Sequence, residues 1–401
     1  MKFKRRFVIV RDSVGIGAEP DADKFFNGGH NDVGSNTWVH IAEKCGSLNV
    51  PHRNALGIHD LADIQGTCKV SHPHSFVQTR REASNGKDTL TGHWERMGIK
   101  TVHPLVTFTE NGFPKELIDE LEKKTGRKII GNYSSSGTEI LKVLGEQARR
   151  EGSLIVYTSA DSVLQIAAHR DTISLEELYR DCEIAREITR KKEWRVGRII
   201  ARPFIGKDKD HFIRTSDRRD YSLKPRGRTA RMDLQDHGEC VIAIGKIHDI
   251  FAGVGCDLSE HIVSNHDGRR KTIERAKNAS FNGLCFVNLA DFDVLYGHRR
   301  NPLGYGKCIE EFDKDLGELL PLITKDDCLR ITADHGNDPT WWGTDHTRER
   351  VPLITYSPAY KEGRKLEETD TFGCIGQTIL KNFSVTPSEG EIGYPIDELL
   401  K

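Results

Sequence analysis

The chain has no C-x-x-C pair among its nine cysteines, no apolar run long enough to cross a bilayer, no repeat, no low-complexity tract and almost no net charge. Each absence closes a class. Cysteines that are scattered and odd in number build neither a disulfide framework nor a thiolate zinc site, so they read as reduced, mostly buried thiols of a cytoplasmic protein. The opening MKFKRRFVIVRDS sets basic residues before an apolar run, as a signal peptide does. Phe7–Val10 is only four residues long, however, and a charged pair follows it. A formal charge of −1 favours neither a nucleic-acid binder nor a membrane-surface binder. The composition, 36% hydrophobic and 30% charged, is that of a globular protein, and 401 residues exceed one small core, so two domains are expected.

Six short apolar runs read as buried strands: Phe7–Val10, Leu154–Thr158, Val241–Gly245, Leu284–Leu289, Cys328–Thr332 and Val351–Tyr356. Helical spacing lies between some of them. In Tyr305–Ile323 the residues Ile309, Phe312, Leu316 and Leu320 recur at threes and fours; Leu175–Glu193 and Lys115–Lys124 carry similar stripes. Strands alternating with helices predict a mostly parallel, doubly wound α/β sheet, whose site lies in loops at the carboxyl ends of strands. The segment Gly206–Arg228 is dense in Arg, Lys and Asp and reads as a boundary or an anion-facing loop.

Three of the predicted strands end in acids. Asp12 follows the first, Asp291 and Asp293 follow Leu284–Leu289 with His298 beyond, and Asp334 with His335 follows Cys328–Thr332, with His346 further on. Taken singly, such an Asp is usually a helix cap or turn residue and such a His an ordinary hydrogen-bonded residue. Taken jointly, carboxylates gathered at one sheet edge would repel one another unless a divalent cation relieved them. Oxygen and imidazole donors without thiolate suit Mn²⁺ or Zn²⁺. The stretch SNGKDTLTGHWERMG, Ser84 to Gly98, crowds small and hydroxyl residues as at a loop opening a helix. Thr89 or Thr91 is there either a plain helix cap or, beside a metal, an activated nucleophile.

Longer motifs then become specific. DSVGIGAEPDA from Asp12, GKDTLTGHWERMG from Gly86, YTSADSVLQIAAH from Tyr157, IARPFIG from Ile200, NLADFDVLYGHRR from Asn288, and TADHGNDP with GTDHTRE closely resemble the phosphopentomutase family of the alkaline-phosphatase superfamily, in order along the chain. The resemblance implies an alkaline-phosphatase-like core of residues 1–103 and 227–401 and an inserted smaller α/β cap domain of residues 104–226. It implies two divalent ions, usually Mn²⁺, one held by Asp12, Asp334 and His335, the other by Asp293, His298 and His346. Thr89 would be the phosphorylated nucleophile, and Ser159, Asp161, Arg202, Arg218 and Lys246 would bind substrate. The implied reaction interconverts ribose 1-phosphate and ribose 5-phosphate, and the deoxyribose equivalents, through a bisphosphate. A sugar bisphosphate activator and a monomeric state are expected with it.

The chain departs from the family at Arg11, where an apolar residue is usual, and at Asn36, Val39, Arg219 and Arg226. Alternation along the strand aims Arg11 away from Asp12 and into the helix layer. There it must snorkel, find an acid or disturb the strand. Two other readings are a metal-dependent phosphohydrolase, with water as acceptor, and a sugar-phosphate binder that has lost turnover.

Overall fold

Strand Arg5–Arg11 lies inside a seven-stranded sheet in the computed structural model, which describes residues 2–400 apart from 160, 161 and 279. The chain divides into two compact units, one formed by residues up to Pro104 and from Pro225 onward, the other by Leu105–Lys224.

In the larger unit the strand order is Leu258–Glu260, Cys240–Ile244, Gly283–Leu289, Arg5–Arg11, Asp327–Thr332, Val351–Tyr356, Ser75–Arg80. Only Val351–Tyr356 runs antiparallel to its neighbours. Parallel strands are buried on both faces by crossover helices, which explains why RRFVIVR is interior over all but its first residue. The fold is thus the expected mixed α/β with a largely parallel central sheet. Register decides what meets at the carboxyl edge. Val10 pairs with Asn288 on one side and Thr332 on the other, so the residues just beyond these positions emerge side by side.

The two faces differ. Phe7 and Ile9 join Val287, Leu289, Leu329 and Ile331 in the main apolar cluster, roofed by Trp38 and Ile41 of helix Thr37–Cys45 and by Tyr305, Ile309, Phe312 and Leu316 of helix Pro302–Leu319. The opposite face carries Val8 and Phe286, and helix Thr89–Arg96 packs there with His93 against Phe286. Asp12 continues that second alternation, on the side of Thr89.

Arg11 does none of the three things expected of it. The strand is intact, the side chain is fully buried, and none of its three nitrogens has a hydrogen-bond partner. Its guanidinium lies 5.2 Å from the Trp38 ring and 5.7 Å from that of Phe312. The other departures are absorbed. Asn36 caps helix Thr37–Cys45, its Oδ1 accepting from Val39 N at 3.4 Å, and Val39 packs on the main core. Arg219 lies over Tyr179 and Tyr221, and Arg226 is exposed.

The smaller unit has a mixed sheet ordered Arg219–Ser222, Arg198–Ile205, Val163–His169, Leu154–Thr158, Ile129–Ser134, with Ile213–Arg214 paired to Arg198–Ile205. Helices Lys115–Thr125 and Leu175–Ile188 cover one face and Gly137–Glu151 the other, giving two apolar clusters. Ser174 and Glu177 close a reciprocal cap on Leu175–Ile188. The charged stretch 206–228 contributes two short strands here as well as loop. The nine cysteines are free thiols, and those at 182, 285, 308, 328 and 374 are buried. No helix among the described residues is long and apolar enough to cross a membrane.

Candidate metal centre

Asp12, Asp334 and His335 present ligand atoms that lie within 4.8 Å of one another, and so do Asp293, His335 and His346. His298 joins the second group, its Nε2 3.0 Å from Asp293 Oδ2 and 3.2 Å from His346 Nε2. All six residues implied as metal ligands are therefore gathered at one sheet edge, with His335 between the two sets. Asp291, also a strand-end acid, is used elsewhere: its Oδ2 accepts from Asn265 N at 2.6 Å, at the start of helix Asn265–Asn278.

The donor chemistry fits divalent cations. His298 Nδ1 donates to Thr344 O at 2.7 Å and His335 Nδ1 to Gly336 O at 3.0 Å. A carbonyl only accepts, so these bonds keep a proton on Nδ1, and Nε2, which faces the carboxylates, is the nitrogen that could give its lone pair to a cation in exchange for a proton. Asp334 Oδ2 is buried and accepts no hydrogen bond, although His93 Nδ1 and His335 Nε2 stand 3.3 and 3.4 Å away. An orphaned carboxylate oxygen among imidazole nitrogens is what a cation would satisfy.

The field agrees. Burial alone would push the Asp293 carboxyl up, but His298 and His346 outweigh it and hold it well below the usual range. At Asp334 burial is outweighed by His335 and His93. Burial opposes charge on His335, yet Asp334, Asp12 and Asp293 raise its pKa well above normal.

Thr89 opens helix Thr89–Arg96, and its hydroxyl is not the cap. Asp88 caps instead, its Oδ1 accepting from Thr91 N at 3.1 Å while Oδ2 accepts from Thr91 Oγ1 at 2.6 Å. Thr89 Oγ1 is thereby left to face the cluster, 3.4 Å from Asp12 Oδ1 and 3.2 Å from His335 Nε2. Gly92 allows the approach: a β-carbon there would lie 2.3 Å from Asp334 O.

Of the residues implied for substrate, Lys246 follows strand Cys240–Ile244 on the same sheet edge as Asp12. Ser159, Arg202 and Arg218 belong to the smaller unit, and Asp161 lies outside the described residues. Arg202 donates to Gln165 Oε1 at 3.1 Å; burial, then Arg218 and Arg214, lower its pKa to about 10. Arg218 pairs with Asp220 at 2.6 Å. Arg202, Arg214 and Arg218 all bear on Tyr157, while Asp220 already pairs with Arg218 and with Arg198.

The sequence model of the metalloenzyme superfamily matches residues 4–387. A phosphopentomutase of Agathobacter rectalis is 54% identical over 399 residues, covering 100% of both chains, and one of Clostridium botulinum is 52% identical over 399 residues, covering 100% of this chain and 99% of the other. The chain belongs to the phosphopentomutase family. It is accordingly an enzyme, a metal-binding isomerase of the alkaline-phosphatase superfamily. A solved protein from Pyrococcus horikoshii shares the fold alone, at a TM-score of 0.50 and 12% identity, covering 97% of this chain and 99% of that one.

Sequence reasoning missed the supports of this phosphopentomutase-family site. Asn288 Nδ2 donates to Asp12 Oδ2 at 2.9 Å, and Asn337 Nδ2 to Asp293 Oδ1 at 2.7 Å. His93 Nδ1 donates to Thr89 O at 2.8 Å, one helical turn back; the i, i+4 spacing was the available signal. Arg348 donates to Ser84 O at 3.1 Å and Gly86 O at 2.6 Å, and pairs with Glu82, Asp21 and Glu19. It ties the loop ahead of Thr89 to the strand that follows His346.

Proposed function

We propose that the chain is a phosphopentomutase, interconverting ribose 1-phosphate and ribose 5-phosphate and their 2-deoxy equivalents through phosphothreonine 89 and a sugar bisphosphate. The observation that carries this reading is the placement of Thr89 Oγ1, freed from capping by Asp88 and aimed at Asp12 and His335, in a chain whose full-length relatives are named phosphopentomutases. Asp12, Asp334 and His335 would hold one divalent cation, Asp293, His298 and His346 the other, with Mn²⁺ suited to these oxygen and nitrogen donors. When bound, two such cations neutralise charge on a transferring phosphoryl group and lower the pKa of the hydroxyl that receives it.

Phosphorylated Thr89 would donate its phosphoryl group to the free hydroxyl of a pentose monophosphate, breaking the bond at Oγ1 and forming one at the sugar oxygen while the hydroxyl's proton passes to Oγ1. The bisphosphate then turns, and Oγ1 takes the other phosphoryl group, breaking its bond to the second sugar oxygen, which receives that proton. A sugar bisphosphate serves as the activator that first primes Thr89. In this reading Ser159, Asp161, Arg202, Arg218 and Lys246 would bind the substrate, the planar forks of the arginines suiting its phosphate, and residues 104–226 would serve as a cap. Such a cap excludes water, which is what separates a mutase from a phosphohydrolase.

The test is ³¹P NMR of Mn²⁺-loaded protein supplied with ribose 5-phosphate and a catalytic amount of bisphosphate. Isomer formation without free phosphate is expected, and Thr89→Val should lower the rate by about 10⁴-fold or more. Free phosphate in place of isomer overturns the mutase reading; full activity in the variant overturns the nucleophile.

A further inference from the structure

Asp293 and His298 each lean on a support, and one side chain reaches the first support and the carbonyls flanking the second. Asp293 Oδ1 accepts from Asn337 Nδ2 at 2.7 Å, His298 Nδ1 donates to Thr344 O at 2.7 Å, and His346 directly follows Asp345. Arg300 donates from Nη1 to Asn337 Oδ1 at 2.5 Å and to Gly297 O at 2.8 Å. It donates from Nε to Gly343 O at 2.6 Å, and from Nη2 to Trp342 O at 3.1 Å and Asp345 O at 3.0 Å.

That fork spans the turn bearing His298, the amide behind Asp293, and the carbonyls on either side of Thr344 in the loop that delivers His346. Its backbone is held at φ 50°, a left-handed conformation unfavourable for a residue with a β-carbon, so the chain accepts local strain where this side chain is aimed. A lysine would keep the charge but supply one point donor in place of a rigid planar fork.

We infer that Arg300 is a positioning residue that sets how tightly the Asp293, His298 and His346 ligand set holds its cation. The inference rests on the two-metal reading above. Orienting partners of metal ligands typically govern affinity by 10–100-fold without touching the ion.

The experiment is a Mn²⁺ titration of the metal-free protein followed by electron paramagnetic resonance, with thermal melting of the same samples in chelator. The unaltered chain should bind two ions tightly. Arg300→Lys should keep one at unchanged affinity and bind the second about 10–100-fold more weakly. The weakened ion should be the one lost in Asp293→Ala, metal-free samples should still melt cooperatively, and excess Mn²⁺ should restore turnover. Asn337→Ser, which cuts one link of the same chain, should weaken the same ion and carries the test if Arg300→Lys does not fold. Two ions at full affinity in Arg300→Lys, or both ions weakened equally, overturns the inference. Failure of the unaltered chain to bind two ions overturns the two-metal reading instead, and the inference with it.

Discussion

Arg53 and Arg11 are both fully buried against the same two rings, their guanidinium carbons 4.8 and 5.2 Å from Trp38 and 5.3 and 5.7 Å from Phe312. Arg53 donates from Nε to Asp313 Oδ1 at 2.9 Å and from Nη2 to Ile309 O at 2.5 Å. Asp313 completes its own shell with the backbone amides of His52 and Arg53. Arg11 has neither an acid nor a carbonyl. Burial, then the charge of Arg53, drives its pKa well below the ordinary value. One residue further along the strand, the buried carboxylate of Asp12 has Asn288, Thr89 and His335 around it. Burial is common to all three sites. What differs is whether the fold delivers a partner, and it does so at the strand's carboxyl end and in the helix layer around Arg53, but not at the strand's last position.

The sharpest way to break this contrast is to make Arg53 resemble Arg11. Asp313→Asn keeps the shape and removes the charge, leaving two crowded guanidinium groups without an acid. Stripping one partner from a buried pair costs about 3–5 kcal/mol, so urea unfolding of metal-free protein should show a loss of that size. A loss under about 1 kcal/mol would show that water or relaxation already compensates Arg53. The converse change, Arg11→Leu, removes an uncompensated ion from an apolar site. It should stabilise the protein by about 1–4 kcal/mol, with Mn²⁺ stoichiometry unchanged because the side chain points away from Asp12. Both comparisons belong in metal-free protein, since a ligand bound only by the folded state would shift apparent stability by itself.

The same distinction governs what the sequence disclosed. Strand-end acids were legible because parallel strands in register must present their carboxyl ends together, and six apolar runs located the corresponding strands. Ser75–Arg80, Ile129–Ser134, Val163–His169, Arg198–Ile205 and Leu258–Glu260 were among those that escaped: SFVQTR becomes a strand by pairing with Val351–Tyr356, and RIIARPFI carries a proline and two arginines that obscure its pattern. The candidate ligands could be named, whereas their supports could not. Asn337, Arg300 and Asn288 are ordinary polar residues until distant loops fold against them. Thr89 lies between these cases, since its motif marked a helix start but only the Asp88 cap shows that its hydroxyl is spare. Arg11 was visible as an anomaly. Its outcome was not, because a strand pattern says which way a side chain points and not whether an acid waits there.

A buried charge can also be met by a proton, and Glu391 marks that third outcome with the smallest expected effect. Its Oε2 accepts from Gln377 Nε2 at 3.0 Å, and its neighbour Asp233 is already engaged by Ser388 and Arg228. Burial, then the charge of Asp233, pushes the Glu391 carboxyl up to about 8. In the unfolded chain it titrates near about 4.3. Between those values the folded state keeps a proton that the unfolded state has released, so stability falls as pH rises from about 4.3 to about 8 and is level beyond. Water reaches this partly exposed group, which reduces the decline to about 1–2 kcal/mol. Glu391→Gln, which carries no titrating proton, should flatten that slope when urea unfolding is repeated across the range. A slope unchanged in the variant would move the proton elsewhere and return Glu391 to the company of charges that have found a partner.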